Sequence, residues 1–78
     1  MAVEEKVKQV LQDVLDVKPE IIDNDSKLDD AFGVDSTEMV EINVGIKKAL
    51  GVQIANNELK KTQSLNEIVA VLKAKGAN

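Results

Sequence analysis

The most strongly patterned segment of this 78-residue chain reads DSTEMVEINVGIKKALG and spans residues 35–51. Asp35 is suited to cap a helix, and Glu38 follows at the spacing of a capping box. Gly51 supplies a stop, because glycine readily adopts the left-handed conformation that ends many helices. We therefore predict a helix over residues 36–50. Apolar side chains cover more than half of its circumference, so the helix is either central to a bundle or faces a cavity. These side chains are Met39, Val40, Ile42, Val44, Ile46 and Leu50.

Gly45 is the unusual residue of this helix, because glycine inside a helix costs about 1 kcal/mol relative to alanine. One interpretation is close packing against a neighbouring helix. The other is room for a guest molecule. Close packing is the more common reason, and the sequence leaves both interpretations open.

A second apolar stripe precedes this segment and predicts a first helix. It has spacings of three and four residues and consists of Val3, Val7, Val10, Leu11, Val14 and Leu15. Pro19 disfavours helical geometry at the residue before it, so this helix ends by about Val17. Residues 18–34 then form a long connection. Such a loop is uncommon in a compact domain and is usually functional or held by its own apolar residues.

Two further helical signals follow the central helix. Asn56 is a candidate cap for a short helical turn that continues through Lys61. Ser64 and Glu67 form a second capping box, which predicts a last helix that ends at Gly76. Valine and isoleucine are frequent and favour strands, but the spacings, caps and lengths favour helices.

These patterns predict an all-α fold, a small antiparallel four-helix bundle of three main helices and a short third helix. A long loop joins helices one and two. The length is that of one small domain, so we expect a single domain over residues 1–78.

The composition excludes most catalytic chemistry. The chain has no Cys, His, Trp, Tyr or Arg, and Phe32 is its only aromatic residue. Disulfides, thiolate ligands and thiol nucleophiles are therefore excluded, and the commonest general base is missing. We expect a protein that binds or carries something rather than an enzyme.

Charge is divided unevenly along the chain. Residues 1–41 hold twelve acids and four lysines, and residues 42–78 hold two acids and six lysines. Because the first half of the chain is acidic and the chain has no Arg and no aromatic platform for base stacking, nucleic acid is a disfavoured partner. A basic protein surface is the favoured partner. The alternative interpretation is that many of these charges only solvate helix faces. No apolar run approaches the length of a membrane span and no signal peptide is apparent, so we expect a cytoplasmic protein and a monomer.

The acidic loop does not match a calcium-binding loop. An EF-hand loop that starts at Asp23 needs an oxygen ligand, Gly and Glu at its fifth, sixth and twelfth positions. The sequence has Lys27, Leu28 and Val34 there. Weak divalent-cation binding is conceivable among four carboxylates, but solvated side chains are the favoured interpretation, and we predict no specific metal site. The four are Asp29, Asp30, Asp35 and Glu41.

Ser36 could be a nucleophile or only part of a helix cap. A nucleophilic serine needs a positioned base, and the chain has no His, so a hydrolase is disfavoured. The segment that surrounds it, residues 33–41, resembles the phosphopantetheine attachment motif of acyl carrier proteins, usually Gly-x-Asp-Ser-Leu before an acidic, apolar-striped helix. Residues 17–22 and 50–54 also resemble the family's turns, and the resemblance covers essentially the whole chain.

The resemblance implies that Ser36 carries a 4′-phosphopantetheine arm, which a separate phosphopantetheinyl transferase attaches from coenzyme A, with Asp35 beside it. The arm's thiol would hold acyl groups as thioesters. Partners would be acyl-processing enzymes of the ketosynthase, acyltransferase or acyl-ligase type with basic docking surfaces. The docking residues would be Thr37, Glu38, Met39 and Glu41. In this family an apolar space between helices shelters the acyl chain, and the residues that would face it are Leu28, Val40, Val44, Ile46, Ile54, Leu59 and Ile68.

The chain departs from the family's usual pattern at several positions. Thr37 replaces the usual Leu, and lysines occupy positions that are usually acidic, namely Lys47, Lys48, Lys60 and Lys61. These departures suggest a specialised carrier in fatty-acid or related acyl-chain biosynthesis. The alternatives are a carrier of amino-acid or polyketide intermediates and, in a different class, a helical adaptor in which Ser36 only helps to cap a helix.

Overall fold

The computed structural model describes residues 3–55 and 58–77. Over those residues the chain forms four helices and no strand: α1 (Val3–Leu15), α2 (Leu28–Phe32), α3 (Ser36–Leu50) and α4 (Leu65–Ala74). The predicted all-α helical bundle is thus confirmed. In the same part of the chain, no helix combines the length and apolar character needed to span a membrane.

Helix α1 contributes one continuous apolar face to the core. Val3, Val7, Val10 and Leu11 are buried on it, as their spacing of three and four residues requires. The helix packs against both α3 and α4. It ends where Asp16 adopts a left-handed conformation with φ of 55°, close to the predicted end.

The caps of α3 and α4 form as the sequence predicts. The Glu38 N–H donates to Asp35 Oδ1 at 2.8 Å, and the Asp35 N–H donates to Glu38 Oε1 at 3.1 Å. Ser64 and Glu67 exchange the equivalent pair of bonds at α4. Gly51 ends α3 with φ of 67°, a conformation that costs glycine little.

The connection between α1 and α3 is more structured than a loop. It contains a turn of 3-10 helix at Pro19–Ile21 and the short helix α2, which Gly33 ends with φ of 65°. Three of its apolar side chains, Ile22, Leu28 and Val34, are buried in the core. The expectation that apolar residues hold this segment down is therefore confirmed.

The short helix, α2, lies earlier in the chain than the predicted short third helix. The predicted cap, Asn56, lies outside the described residues, and Glu58–Lys61 form turns rather than a helix. The Glu58 N–H donates to the Ala55 carbonyl, and the Gln63 N–H donates to the Lys60 carbonyl, so each bond closes a separate turn. We name residues 58–64 the turn segment.

Gly45 brings α3 close to α1. A Cβ added at Gly45 would lie 2.8 Å from Cγ1 of Val10, which is closer than carbon atoms can approach without displacement. The close-packing interpretation of this glycine is therefore supported at its contact with α1.

Candidate functional site

Ser36 is the first residue of α3 and is exposed to solvent. The capping box before it fixes the direction of the helix, and Glu38 and Met39 direct their N–H groups to Asp35. The N–H groups of Ser36 and Thr37 have no acceptor within the helix, as at any helix start. The positive end of the helix dipole and these free N–H groups favour an anion beside Ser36.

A cleft of about 400 Å³ begins at Ser36 and runs between α3 and the turn segment. The α3 side also contributes Met39, Val40 and Asn43, which follow Ser36 at intervals of three, four and seven residues and so share a helix face. The opposite wall consists of Lys60, Lys61 and Thr62. The cleft is therefore cationic on one side and mainly apolar on the other.

The turn segment is fastened at several points. The N–H groups of Leu28 and Asp29 donate to the carbonyls of Gln63 and Lys61 at 3.1 and 2.9 Å. At the other end, Lys75 Nζ lies 2.7 Å from Glu58 Oε1. This contact with Lys75 and a bond from the Ala55 N–H lower the pKa of Glu58. The wall of the cleft is thus tied to both α2 and the end of α4.

The predicted docking residues do not all lie on the surface. Thr37 and Glu41 are exposed, as is Asp35 beside Ser36, and Glu38 is half-buried with its carboxylate engaged in the cap. Met39 is only 7% exposed and lines the cleft. The structure therefore does not place the Met39 side chain on an outer docking face, because residue 39 shares the inward face of α3 with Ile42 and Ile46.

The predicted acyl-contact residues divide into two groups. Most are buried in one apolar cluster with the rest of the core, namely Leu28, Ile46, Ile54, Leu59 and Ile68. The other two are exposed on α3, Val40 to 61% and Val44 to 42%. Of all seven, Val40 alone lines the cleft that begins at Ser36. The structure thus does not place Val44 in a buried apolar space.

Asn43 and Thr62 belong to the cleft and were not among the predicted site residues. Asn43 is the one amide in the otherwise apolar middle of α3, and its distance of seven residues from Ser36 places it on the same face. That spacing could have identified Asn43 as a residue of the site from the sequence. No local pattern marks Thr62, whose position depends on the fold of the turn segment.

The arrangement suits a residue that is modified rather than one that catalyses. The chain has no His to activate the Ser36 hydroxyl, and the described carboxylates form no group of three or more that could hold a metal ion. An exposed hydroxyl beside free N–H groups and two lysines fits an attached phosphate, and the adjoining apolar cleft fits an aliphatic chain.

Comparison with known proteins agrees with this geometry. The family model described as "Phosphopantetheine attachment site" matches residues 5–72. The acyl carrier protein of Campylobacter hominis is 31% identical over 72 residues, which cover 92% of this chain and 91% of the relative. The acyl carrier protein of Solidesulfovibrio magneticus is 28% identical over 75 residues, which cover 96% of each chain. That of Campylobacter fetus is 32% identical over 69 residues, which cover 88% of this chain and 90% of the relative.

Proposed function

Because the chain belongs to the acyl carrier proteins, non-catalytic carriers with a covalently attached 4′-phosphopantetheine, we propose that Ser36 is the attachment residue. One observation carries this assignment: Ser36 is an exposed hydroxyl at the start of α3 and at the mouth of the cleft. When bound, the cofactor supplies a thiol that holds acyl groups as thioesters. The protein itself then needs only to position and shelter the cargo.

The residues around Ser36 each have a part in holding the arm. The free N–H groups of Ser36 and Thr37 would donate hydrogen bonds to the phosphate of the arm, and the helix dipole would favour its negative charge. Lys60 and Lys61 compensate that charge from the other wall of the cleft. Asp35 acts through the cap, because its carboxylate accepts from the Glu38 N–H and keeps the first turn in place.

The acyl chain enters between α3 and the turn segment. Met39 and Val40 offer it apolar contact near the mouth. The five buried residues of the predicted set belong to a core that contains no fully buried aromatic ring and therefore deforms more easily than a core of rigid rings. Their contact with longer chains requires α3 and the turn segment to separate.

Partner enzymes dock on the exposed acidic residues beside Ser36. Asp35 and Glu41 present carboxylates to a basic surface, and Thr37 replaces an apolar contact with a hydroxyl. Electrostatic complementarity of this kind mainly sets partner choice and association rate. The phosphopantetheinyl transferase and the acyl-processing enzymes of fatty-acid or related biosynthesis use this face, in the cytoplasm.

Four lysines indicate that this carrier's partner enzymes differ from those of a carrier whose surface is acidic throughout. Lys47 and Lys48 lie in the last turn of α3, and Lys60 and Lys61 lie on the turn segment. A ketosynthase with a strongly basic docking surface is repelled by these charges. The partners are therefore specialised enzymes with mixed-charge surfaces.

Intact mass after incubation with coenzyme A and a broad-specificity transferase tests the assignment. We expect the wild-type protein to gain one phosphopantetheinyl group and Ser36→Ala to gain none. Ser26→Ala is the matched control, because it removes a serine from the α1–α3 connection and should leave the gain intact. Modification of a folded Ser36→Ala protein would show that another residue is the acceptor.

A further inference from the structure

Asn43 carries a buried polar atom that no described residue satisfies. The side chain lies on α3 and is 8% exposed, and its Oδ1 accepts no hydrogen bond. A buried acceptor that has lost water and gained no partner destabilises the protein. An apolar residue of similar shape would avoid this penalty, so the amide requires an explanation.

The position of Asn43 supplies that explanation. It lines the same cleft as Ser36, two helical turns further along α3, or about 10 Å along the helix axis. Its neighbours on that face, Met39 and Val40, are apolar. A guest that enters from Ser36 therefore meets apolar side chains and then one amide.

The guest group that matches Asn43 must offer a hydrogen-bond donor. A plain aliphatic chain offers none and would leave Oδ1 unsatisfied. A hydroxyl group both donates and accepts, so it pairs with either end of the side-chain amide. A hydroxyl close to the thioester of the acyl group has this chemistry.

The arm itself also carries N–H donors, but other polar groups line the cleft. Ser36 anchors the arm, and the opposite wall offers it the polar side chains of Lys60, Lys61 and Thr62. Because Asn43 is 8% exposed and follows the apolar Met39 and Val40 along the cleft face of α3, it suits the cargo, and the form with the unacylated arm tests this choice against the arm.

We propose that Asn43 is a specificity-determining residue that accepts a hydrogen bond from a hydroxyl group on the acyl cargo. This inference rests on the proposed attachment of the arm at Ser36. The carrier then holds a hydroxyacyl chain in its cleft more firmly than a saturated chain of the same length.

The test compares the wild-type protein with Asn43→Leu, which keeps the approximate shape of the side chain and removes its polarity. Each is prepared in four forms: apo, with the unacylated arm, with a 3-hydroxyoctanoyl group and with an octanoyl group. Urea unfolding gives the folding equilibrium constant of each form. Asn43→Val is a second, smaller variant in case leucine does not fit.

For the wild-type protein we expect the hydroxyoctanoyl form to be more stable than the octanoyl form by about fivefold in this constant, the effect of one net hydrogen bond. In Asn43→Leu the preference should disappear, while the apo form should become more stable because the unsatisfied oxygen is gone.

Equal stability of the two acylated wild-type forms would overturn the proposal. A dependence on Asn43 that already appears with the unacylated arm would also overturn it, in favour of an arm N–H. Failure of Ser36 to accept an arm would be visible earlier, as an unchanged mass, and would overturn the attachment assignment together with this inference.

Discussion

Asn66 Nδ2 donates a 2.6 Å hydrogen bond to Oδ1 of Asp25, although the two residues are 41 positions apart in sequence. The Asn66 N–H also donates to the Asn24 carbonyl at 3.0 Å. The first turn of α4 therefore holds the loop that precedes α2. Since α2 in turn holds the turn segment, this contact helps to fix the wall of the cleft beside Ser36.

Removal of this bond should loosen the loop. We expect Asp25→Ala and Asn66→Ala each to lower the free energy of unfolding by about 0.5–1.5 kcal/mol, the usual net value of a side-chain hydrogen bond. Urea unfolding measures the effect, and the double variant should lose less than the two single losses together. Asn24→Ala is the control, because Asn24 contributes its backbone carbonyl. Full additivity would show that the two side chains do not cooperate.

Substitution of Gly45 tests the contact between α1 and α3. Alanine gains about 1 kcal/mol in helix propensity, but overpacking costs about 1–3 kcal/mol. Because the new Cβ would lie 2.8 Å from the stiff Val10 side chain, we expect Gly45→Ala to be destabilising. In a Val10→Ala background the same substitution should become stabilising. Urea unfolding of the wild type, the two single variants and the double variant gives the sign of the Gly45→Ala effect in each background. Stabilisation by Gly45→Ala in the wild-type background would show that the two helices separate at little cost.

The role of Asp35 can be divided into capping and charge. Asparagine caps helices as well as aspartate, so Asp35→Asn should retain stability, whereas Asp35→Ala should lose about 1 kcal/mol. Thermal unfolding checks this. If Asp35 also provides charge for docking, Asp35→Asn should be modified at Ser36 more slowly than the wild type by the transferase. Equal rates of modification for the wild type and Asp35→Asn would show that Asp35 acts only as a helix cap.

The sequence was most informative where the determinants are local. Asp35 with Glu38, and Ser64 with Glu67, lie three residues apart, so the caps could be predicted from spacing alone. The position of the short helix could not, because α2 depends on bonds from Leu28 and Asp29 to carbonyls more than thirty residues away.

The candidate site could be predicted only at its mouth. The attachment motif marks Ser36, but periodicity alone does not separate a docking residue from a cleft residue, and the predicted docking residue Met39 is buried where α3 lines the cleft. Val44 was likewise expected to face inward, since an apolar residue on a mostly apolar helix carries no sign of its exposure. Which face is covered depends on where α1 and the turn segment pack.

The ion pair of Glu58 and Lys75 makes stability depend on pH. The contact with Lys75 and the bond from the Ala55 N–H lower the pKa of Glu58 below its ordinary value of 4.5. A carboxylate with a lowered folded-state pKa stabilises the protein above the unfolded value and loses that effect as the pH falls through the folded value. We therefore expect Lys75→Met to be less stable than the wild type at neutral pH, with a difference that shrinks below pH 4.5.

Lys73→Met is the control for this experiment, because it removes a charge from the same end of α4. Its effect on the free energy of unfolding should not shrink in the same acidic window. A difference between the wild type and Lys75→Met that stays constant through that window would show that Lys75 stabilises α4 by packing rather than through Glu58.

The two lysines opposite Ser36 should stabilise the protein only after the arm is attached. Reversal of charge in Lys60→Glu/Lys61→Glu places two carboxylates on the wall that faces the phosphate. We expect attachment of the arm to lower the unfolding free energy of this variant relative to its own apo form, and salt should reduce the effect because it screens exposed charges. The control is Lys47→Glu/Lys48→Glu, which changes the net charge equally but lies about 17 Å from Ser36 along the helix. Attachment of the arm should change the unfolding free energy of this control by the same amount as it does in the wild type. Equal effects of attachment in both double variants would show that the phosphate responds to net charge rather than to the cleft wall.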